Sequence, residues 1–230
     1  VNPASMIDAF EWDNFHQSQW VALVRCTREY GPPKTLYNRW KRWGDMGIFA
    51  SMTDRLASQA AGPKTVMIDA TYLKAPYGFE PAVETGGADG QRGRLIGRTK
   101  GGMTTKLLAV TDGEGRPLRF FMTAGQASDE LVRGSAEEFT LGEWLLADRG
   151  YDADWFRDAL KDKGINPCSP GRTSRGKPIK HTKRRYKRRN RIEIMFGRLK
   201  DWRPVATRYD RCQKVFLSAV ALAATVMFWL

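Results

Sequence analysis

Residues Thr65–Lys74 read TVMIDATYLK, a run of β-branched, aromatic and aliphatic side chains with a single acid, Asp69, near its centre. Such a composition predicts a strand. A carboxylate set between Ile68 and Ala70 is costly there unless it is paired or binds a metal. A second acid stands in a comparable place. Glu143 to Ala147 predicts another apolar strand, and Asp148 follows it directly in LLADRG. Taken singly, a salt bridge or a capped strand end is the favoured explanation of either acid. Two of them on separate strands point to a shared site, because the ends of core strands are rigid places to hold ligands.

Working outward from Thr65–Lys74, the stretch from Thr85 to Gly102 is rich in Gly and Arg and predicts a mobile loop. Thr104 to Thr111 and Pro117 to Thr123 predict an antiparallel hairpin about the turn DGEGRP. Helices are expected over Asp129 to Phe139, Tyr151 to Lys163 and Arg188 to Trp202, with a short strand over Ile165 to Ser169 and a last helix closing the chain. The order strand, hairpin, helix, strand, helix, strand, helix predicts an α/β protein with a ribonuclease-H-like mixed sheet and flanking helices.

Upstream, Gly62-Pro63 marks a boundary. Before it, Gly-Pro-Pro precedes a basic aromatic helix with Thr35 as its expected N-cap, and a second helix runs from about Ile48 to Ala57. The pair predicts a small helix-turn-helix-like module; an ordinary helical hairpin fits the pattern equally well. The expected organisation is a poorly matching N-terminus over 1–28, a helical DNA-binding module over 29–62, and a catalytic domain over 63–230.

The formal net charge is +13 at a sequence pI of about 9.9, which predicts attraction to polyanions. Hydrophobic residues make up 42% of the chain, which argues against disorder. The charge is concentrated. Gly171 to Arg191 carries eleven Lys or Arg residues and no acid, and a phosphate backbone is its natural partner. Lys183, Arg184, Arg185, Lys187, Arg188 and Arg191 are the candidate contacts. Cys26, Cys168 and Cys212 fit neither a zinc pattern nor a disulfide framework, which points to a reducing compartment. No signal peptide is visible at the start. Val215 to Leu230 is apolar but spans sixteen residues, short of the roughly twenty a membrane helix needs. A buried core helix is expected there, with no membrane partner and a cytoplasmic location.

A third acid lies on the helix that ends the basic run. At about 100° per residue, with Arg189 at zero, Glu193 falls near 40°, Lys200 near 20° and Tyr186 near 60°. Ile192, Met195 and Leu199 form an adjoining apolar stripe suited to packing on a sheet. The helix can therefore anchor on the core while presenting one carboxylate among cations. An Arg189–Glu193 ion pair on a solvated face is the equal alternative.

The spacing Tyr186, Arg189, Glu193, Lys200 resembles that of bacterial insertion-sequence transposases, and the chain resembles the insertion-sequence-five family among them. EYGPPKTLYNRWKRW from Glu29, MIDATYLK from Met67, GRTKGGMTTKLLAVTD from Gly97, LLADRGYD from Leu145 and TRYDRCQKVFLSAVALAA from Thr207 share the likeness. The resemblance implies a ribonuclease-H-like core with a DDE triad of Asp69, Asp148 and Glu193. It also implies two divalent ions, Mg²⁺ with Mn²⁺ able to substitute, since carboxylates are hard oxygen ligands. DNA would be the partner, as element-end inverted repeats and target, with a homo-oligomer assembled on it in the bacterial nucleoid. Arg189 and Lys200 would grip phosphates, and Tyr186 would stack on a base or position the strand. Only 44 residues separate Asp148 from Glu193, which leaves no room for a large insertion domain.

Two departures stand out. Leu107 replaces a His common in the family. Residues 1 to 28 do not match, and codons for Gln19 to Cys26 can be chosen so that a one-nucleotide shift spells the family-like NGWRWCDA. Residues before about Thr27 are therefore expected to be a shifted-frame product and poorly ordered. The competing readings are a DNA-binding remnant unable to cut and, more weakly, a nuclease acting on RNA–DNA hybrids.

Overall fold

A computed structural model of the chain describes residues 30–59, 62, 64–75, 95–126, 142–176, 178–210 and 212–230. The helix expected over Asp129 to Phe139, the order expected of the first 28 residues, most of the loop from Thr85, and Cys26 lie outside them. In chain order the elements are α1 (Pro33–Asp45), α2 (Ile48–Gln59), β1 (Thr65–Lys74), β2 (Gly97–Thr99), β3 (Gly102–Asp112), β4 (Pro117–Ala124), β5 (Trp144–Leu146), α3 (Asp154–Asp162), β6 (Asn166–Cys168), α4 (Lys183–Tyr186), α5 (Asn190–Asp201), α6 (Arg203–Ala206) and α7 (Gln213–Phe228).

The strands form one mixed sheet. β1 pairs antiparallel with β3, which also pairs antiparallel with β2 and β4. On its other side β1 runs parallel to β5, and β5 parallel to β6. This is a hairpin-led sheet extended by two parallel strands, consistent with the ribonuclease-H-like fold expected.

The period-2 alternation of β1 divides its side chains between two layers. Met67 and Leu73 join Leu107, Ala109, Leu146 and Cys168 in a core closed by Ile192, Met195, Phe196 and Leu199 of α5 and Phe216 and Val220 of α7. Val66 and Ile68 join Leu108, Val110 and Leu145 on the opposite face, under Phe156 and Leu160 of α3. Leu107, at the position where the resembled family often has a His, is fully buried in the first of these cores.

The apolar C-terminal run is the core helix expected of it. Ten of the sixteen residues of α7 are buried, and no helix among the described residues is long and apolar enough to cross a membrane. Its outer side packs on α1 and α2 through Trp40, Phe49, Val215 and Ala219. A Cβ on Gly44 would lie 2.8 Å from Ser218 Oγ, so glycine is what lets α1 approach α7 this closely. The two helices thus share a core with the C-terminal helix.

Four expectations are corrected. Gly97–Thr99, read as loop, is a strand, because its backbone pairs with the start of β3. α1 is capped at Pro32, with Pro33 at its first position; Thr35 lies inside the first turn, where its N–H binds the Pro32 carbonyl. The helix expected from Tyr151 begins at Asp154, because Asp148 caps a separate 3₁₀ turn over Arg149–Tyr151. The helix expected from Arg188 begins at Asn190, after a 3₁₀ turn over Lys187–Arg189; Arg189 nonetheless meets Glu193 one turn on, as the expected stripe requires.

Phe216 is fully buried, and the Arg208 guanidinium lies 5.3 Å from its ring. Replacing it with Ala is expected to cost about 3–5 kcal/mol. Urea unfolding should show this as a lower midpoint at unchanged slope.

Candidate active site

Asp69 and Asp148 come together through strand register. Met67 of β1 lies opposite Leu146 of β5, and each acid stands two residues beyond its member of that pair. Two residues on means the same face, and neighbouring strands run about 4.8 Å apart. The Asp148 charge is felt at Asp69, whose pKa is raised, first by burial and then, more weakly, by Asp148; Arg189 and a hydrogen bond from the Ala70 N–H work against the rise. Asp148 Oδ1 accepts the Gly150 N–H at 2.8 Å.

The third acid reaches the pair through Arg189. Its Nη2 lies 2.7 Å from Asp69 Oδ2, and its Nη1 donates to Glu193 Oε1 at 2.7 Å. The two contacts differ in weight. Arg189 and Asp69 are 13% and 15% exposed, whereas Glu193 is 53% exposed. An exposed i, i+4 pair contributes only about 0.3–0.5 kcal/mol, so Asp69 sets where the guanidinium sits. Among the described residues, buried Arg189 Nε has no hydrogen-bond partner. Burial lowers the pKa of Arg189, but Asp69, Tyr186 and Glu193 outweigh it and hold the group cationic. The ion pair and the capped strand end weighed as plain explanations of single acids are therefore both present, and they occur at one place.

Lys200 closes the other side. Its Nζ donates to Thr71 Oγ1 at 2.6 Å, two residues along β1 from Asp69. Burial lowers its pKa. Tyr186 is half-buried, packs against the core and meets the His181 ring edge-on.

Among the described residues no group of three His, Cys, Asp or Glu side chains stands close enough together to hold a metal as it is. The donors nevertheless fit a hard divalent cation in kind. In arrangement, Asp69 and Glu193 already converge on one cation, the guanidinium.

The basic run proves heterogeneous. Lys183, Arg184, Lys187 and Arg188 are exposed and have no partner among the described residues. Arg185 instead stacks on Trp144 at 4.0 Å. Arg191 donates to the Gly113 carbonyl and pairs with Glu114, and Gly115, at φ +88°, gives the turn room beside its backbone. Arg172 donates to the carbonyls of Arg149 and Gly150, and Arg175 pairs with Asp152 and Asp154.

Sequence reasoning missed Thr71 and Asp152. The period of β1, which puts Thr71 on the Asp69 face, could have pointed to the first. The acid-rich ADRGYDAD facing a basic run could have pointed to the second. The Asp152 side chain is fully buried. It accepts from Arg157 Nε at 2.7 Å, the Arg172 N–H at 2.7 Å and Arg175 Nε at 3.0 Å, and so ties the loop after Asp148 to the head of the basic run.

A profile of the family described as "Transposase DDE domain" matches residues 145–230, a span that contains Asp148 and Glu193. The chain is similar in fold to the piggyBac transposase in its synaptic complex with hairpin DNA, with a TM-score of 0.52 at 11% identity over 88% of this chain. It spans 54% of that transposase chain. The fold of this chain is thus similar to one that a transposase uses. A Brucella ovis protein named as a transposase for insertion sequence element IS6501 is 37% identical over 133 residues, 56% of this chain and 99% of that protein. The chain belongs to the family of insertion-sequence transposases with a DDE domain.

Burial raises the pKa of Asp152, but its hydrogen bonds and the Arg157 and Arg175 charges bring it below the ordinary value. A lowered carboxylate contributes stability that is full above its unfolded pKa and is lost as pH falls through the native one. Asp152→Asn is expected to cost roughly 3–5 kcal/mol at neutral pH. In denaturation curves taken across pH, the gap to wild type should close only below about pH 4.

Proposed function

We propose that this chain is a DNA transposase of the insertion-sequence-five family that cuts element ends and joins the freed 3′-OH to target DNA, with Asp69, Asp148 and Glu193 as its triad. The observation that carries this reading is the meeting of a mid-strand acid, Asp69, and an acid just past the end of the neighbouring parallel strand, Asp148, with a helix acid that Arg189 joins to Asp69. The three carboxylates would hold two Mg²⁺ ions, with Mn²⁺ as substitute, and such ions would activate a water or 3′-hydroxyl and stabilise the leaving oxygen of an in-line displacement.

The chain's own groups supply the rest. Lys200, oriented by Thr71, offers a cation beside the acids for a phosphate next to the scissile bond. Arg189 offers another. Lys183, Arg184, Lys187 and Arg188 form the exposed track for the flanking backbone, while Arg185 and Arg191 serve packing. Tyr186 supports the strand from beneath, since its ring is engaged with the core. The helices α1 and α2 would add contacts to the inverted repeats, and a homo-oligomer would bring two ends together. The setting would be the bacterial nucleoid, in the cytoplasm.

A second reading, a DNA-binding remnant unable to cut, is favoured by the guanidinium seated between Asp69 and Glu193. Cleavage assays separate the two. Glu193→Gln should abolish Mg²⁺-dependent cutting of element-end DNA while leaving metal-free DNA affinity roughly intact, because the ligand is lost and the cations remain. Cutting by the variant at the wild-type rate would reduce Glu193 to an ion-pair partner, and a wild-type chain that binds but never cuts would favour the remnant.

Each neutralised phosphate adds about −0.9 to the slope of log affinity against log salt on duplex DNA. Replacing Arg184, Lys187 and Arg188 together with Ala should flatten that slope by roughly two to three units. An unchanged slope would mean that this track faces away from DNA.

A further inference from the structure

Arg189 occupies an unusual seat. Its guanidinium bridges Asp69 and Glu193 at 2.7 Å each, with the side chain largely buried. Yet Nε meets no acceptor among the described residues, where the seat leaves this buried donor unsatisfied. It is held mainly by charge: Asp69 lies beside Asp148 and needs a cation nearby, and Arg189 provides one. A divalent ion ligated by Asp69 and Glu193 would need the same oxygens and would repel the guanidinium. A phosphate would offer Arg189 a better-matched partner, since the guanidinium fork can engage two of its oxygens at once. Next along the chain are Arg188 and Lys187, both exposed, so a backbone drawn to them passes close to Arg189.

We propose that Arg189 is an exchangeable counter-ion that keeps the carboxylates occupied until a DNA phosphate draws it away, so that DNA and divalent-cation binding are positively coupled. The inference rests on the transposase reading of the three acids. Its physical content is a three-way exchange. Without DNA, metal must displace a guanidinium already paired. With DNA, the carboxylates are released and the metal meets them free. By linkage, metal must raise DNA affinity by the same factor that DNA raises metal affinity.

The test uses the full chain, Mn²⁺ as the probe, and a short duplex of arbitrary sequence. Mn²⁺ binding is followed by electron paramagnetic resonance or calorimetry, with and without the duplex. Wild type should bind Mn²⁺ at least about tenfold more tightly with the duplex present, and the duplex more tightly with Mn²⁺ by the same factor. Arg189→Gln should bind Mn²⁺ without DNA about as tightly as the wild-type complex does, and the duplex should add little. Equal wild-type Mn²⁺ affinity with and without duplex would overturn the exchange, and that arm needs no variant to fold. So would a folded Arg189→Gln chain that binds free Mn²⁺ no better than wild type. Glu193→Gln separates the levels. If it binds Mn²⁺ as wild type does, or if no protein binds Mn²⁺ under any condition, the triad reading itself fails and the exchange with it. Binding that needs Glu193 but ignores Arg189 overturns the exchange alone.

Discussion

A carboxylate in the middle of a core strand, with a second one just past the end of the neighbouring parallel strand, must be balanced by positive charge. Arg189 provides it, and much of the local architecture follows from where Arg189 must stand. The guanidinium reaches Asp69 from the last residue of the 3₁₀ turn that leads into α5. The helix is then held at three further places. Its apolar side packs on the sheet through Ile192, Met195 and Leu199. Arg191 grips the β3–β4 turn, and Lys200 reaches Thr71 on β1. Glu193 is carried to the acids by a helix whose rotation these contacts set.

The positive charge of the chain is divided by what each cation meets. At the head of the basic run, Arg172 and Arg175 are captured by backbone carbonyls and by Asp152 and Asp154, all within the stretch that follows Asp148. Further on, Arg185 lies on Trp144 and Arg191 on Glu114. Within the same run, exposed Lys183, Arg184, Lys187 and Arg188 have no partner among the described residues and lie close before Arg189. Net charge alone does not show that some of these cations are spent inside the fold, or that those four adjoin the acids.

α7 does for the core what α5 does for the site. It is apolar on nearly all sides because it is covered on nearly all sides, by the sheet and α5 within and by α1 and α2 without. Buried Thr53 and Thr225 lie 3.3 Å apart across the α2–α7 contact and add a polar tie there. The helices at the start of the described chain thus share one hydrophobic core with its end.

Much of this was legible in the sequence. Local pattern determined β1, whose expected bounds Thr65–Lys74 are those observed, the two long strands of the hairpin to within two residues, and α7 as a core helix rather than a membrane span. It also singled out Asp69 and Asp148, because an acid in or beside an apolar strand is conspicuous in one dimension. What it could not supply was pairing through space. β2 became a strand only because β3 offered a free edge, and the 3₁₀ turn ahead of α5 carries no signal in the local pattern. Thr71, Asp152 and the internal roles of Arg185 and Arg191 were decided by which group lay within about 3–4 Å once the layers had closed. Periodicity records which side a residue faces; the identity of what it meets depends on register and packing, which only the folded chain possesses.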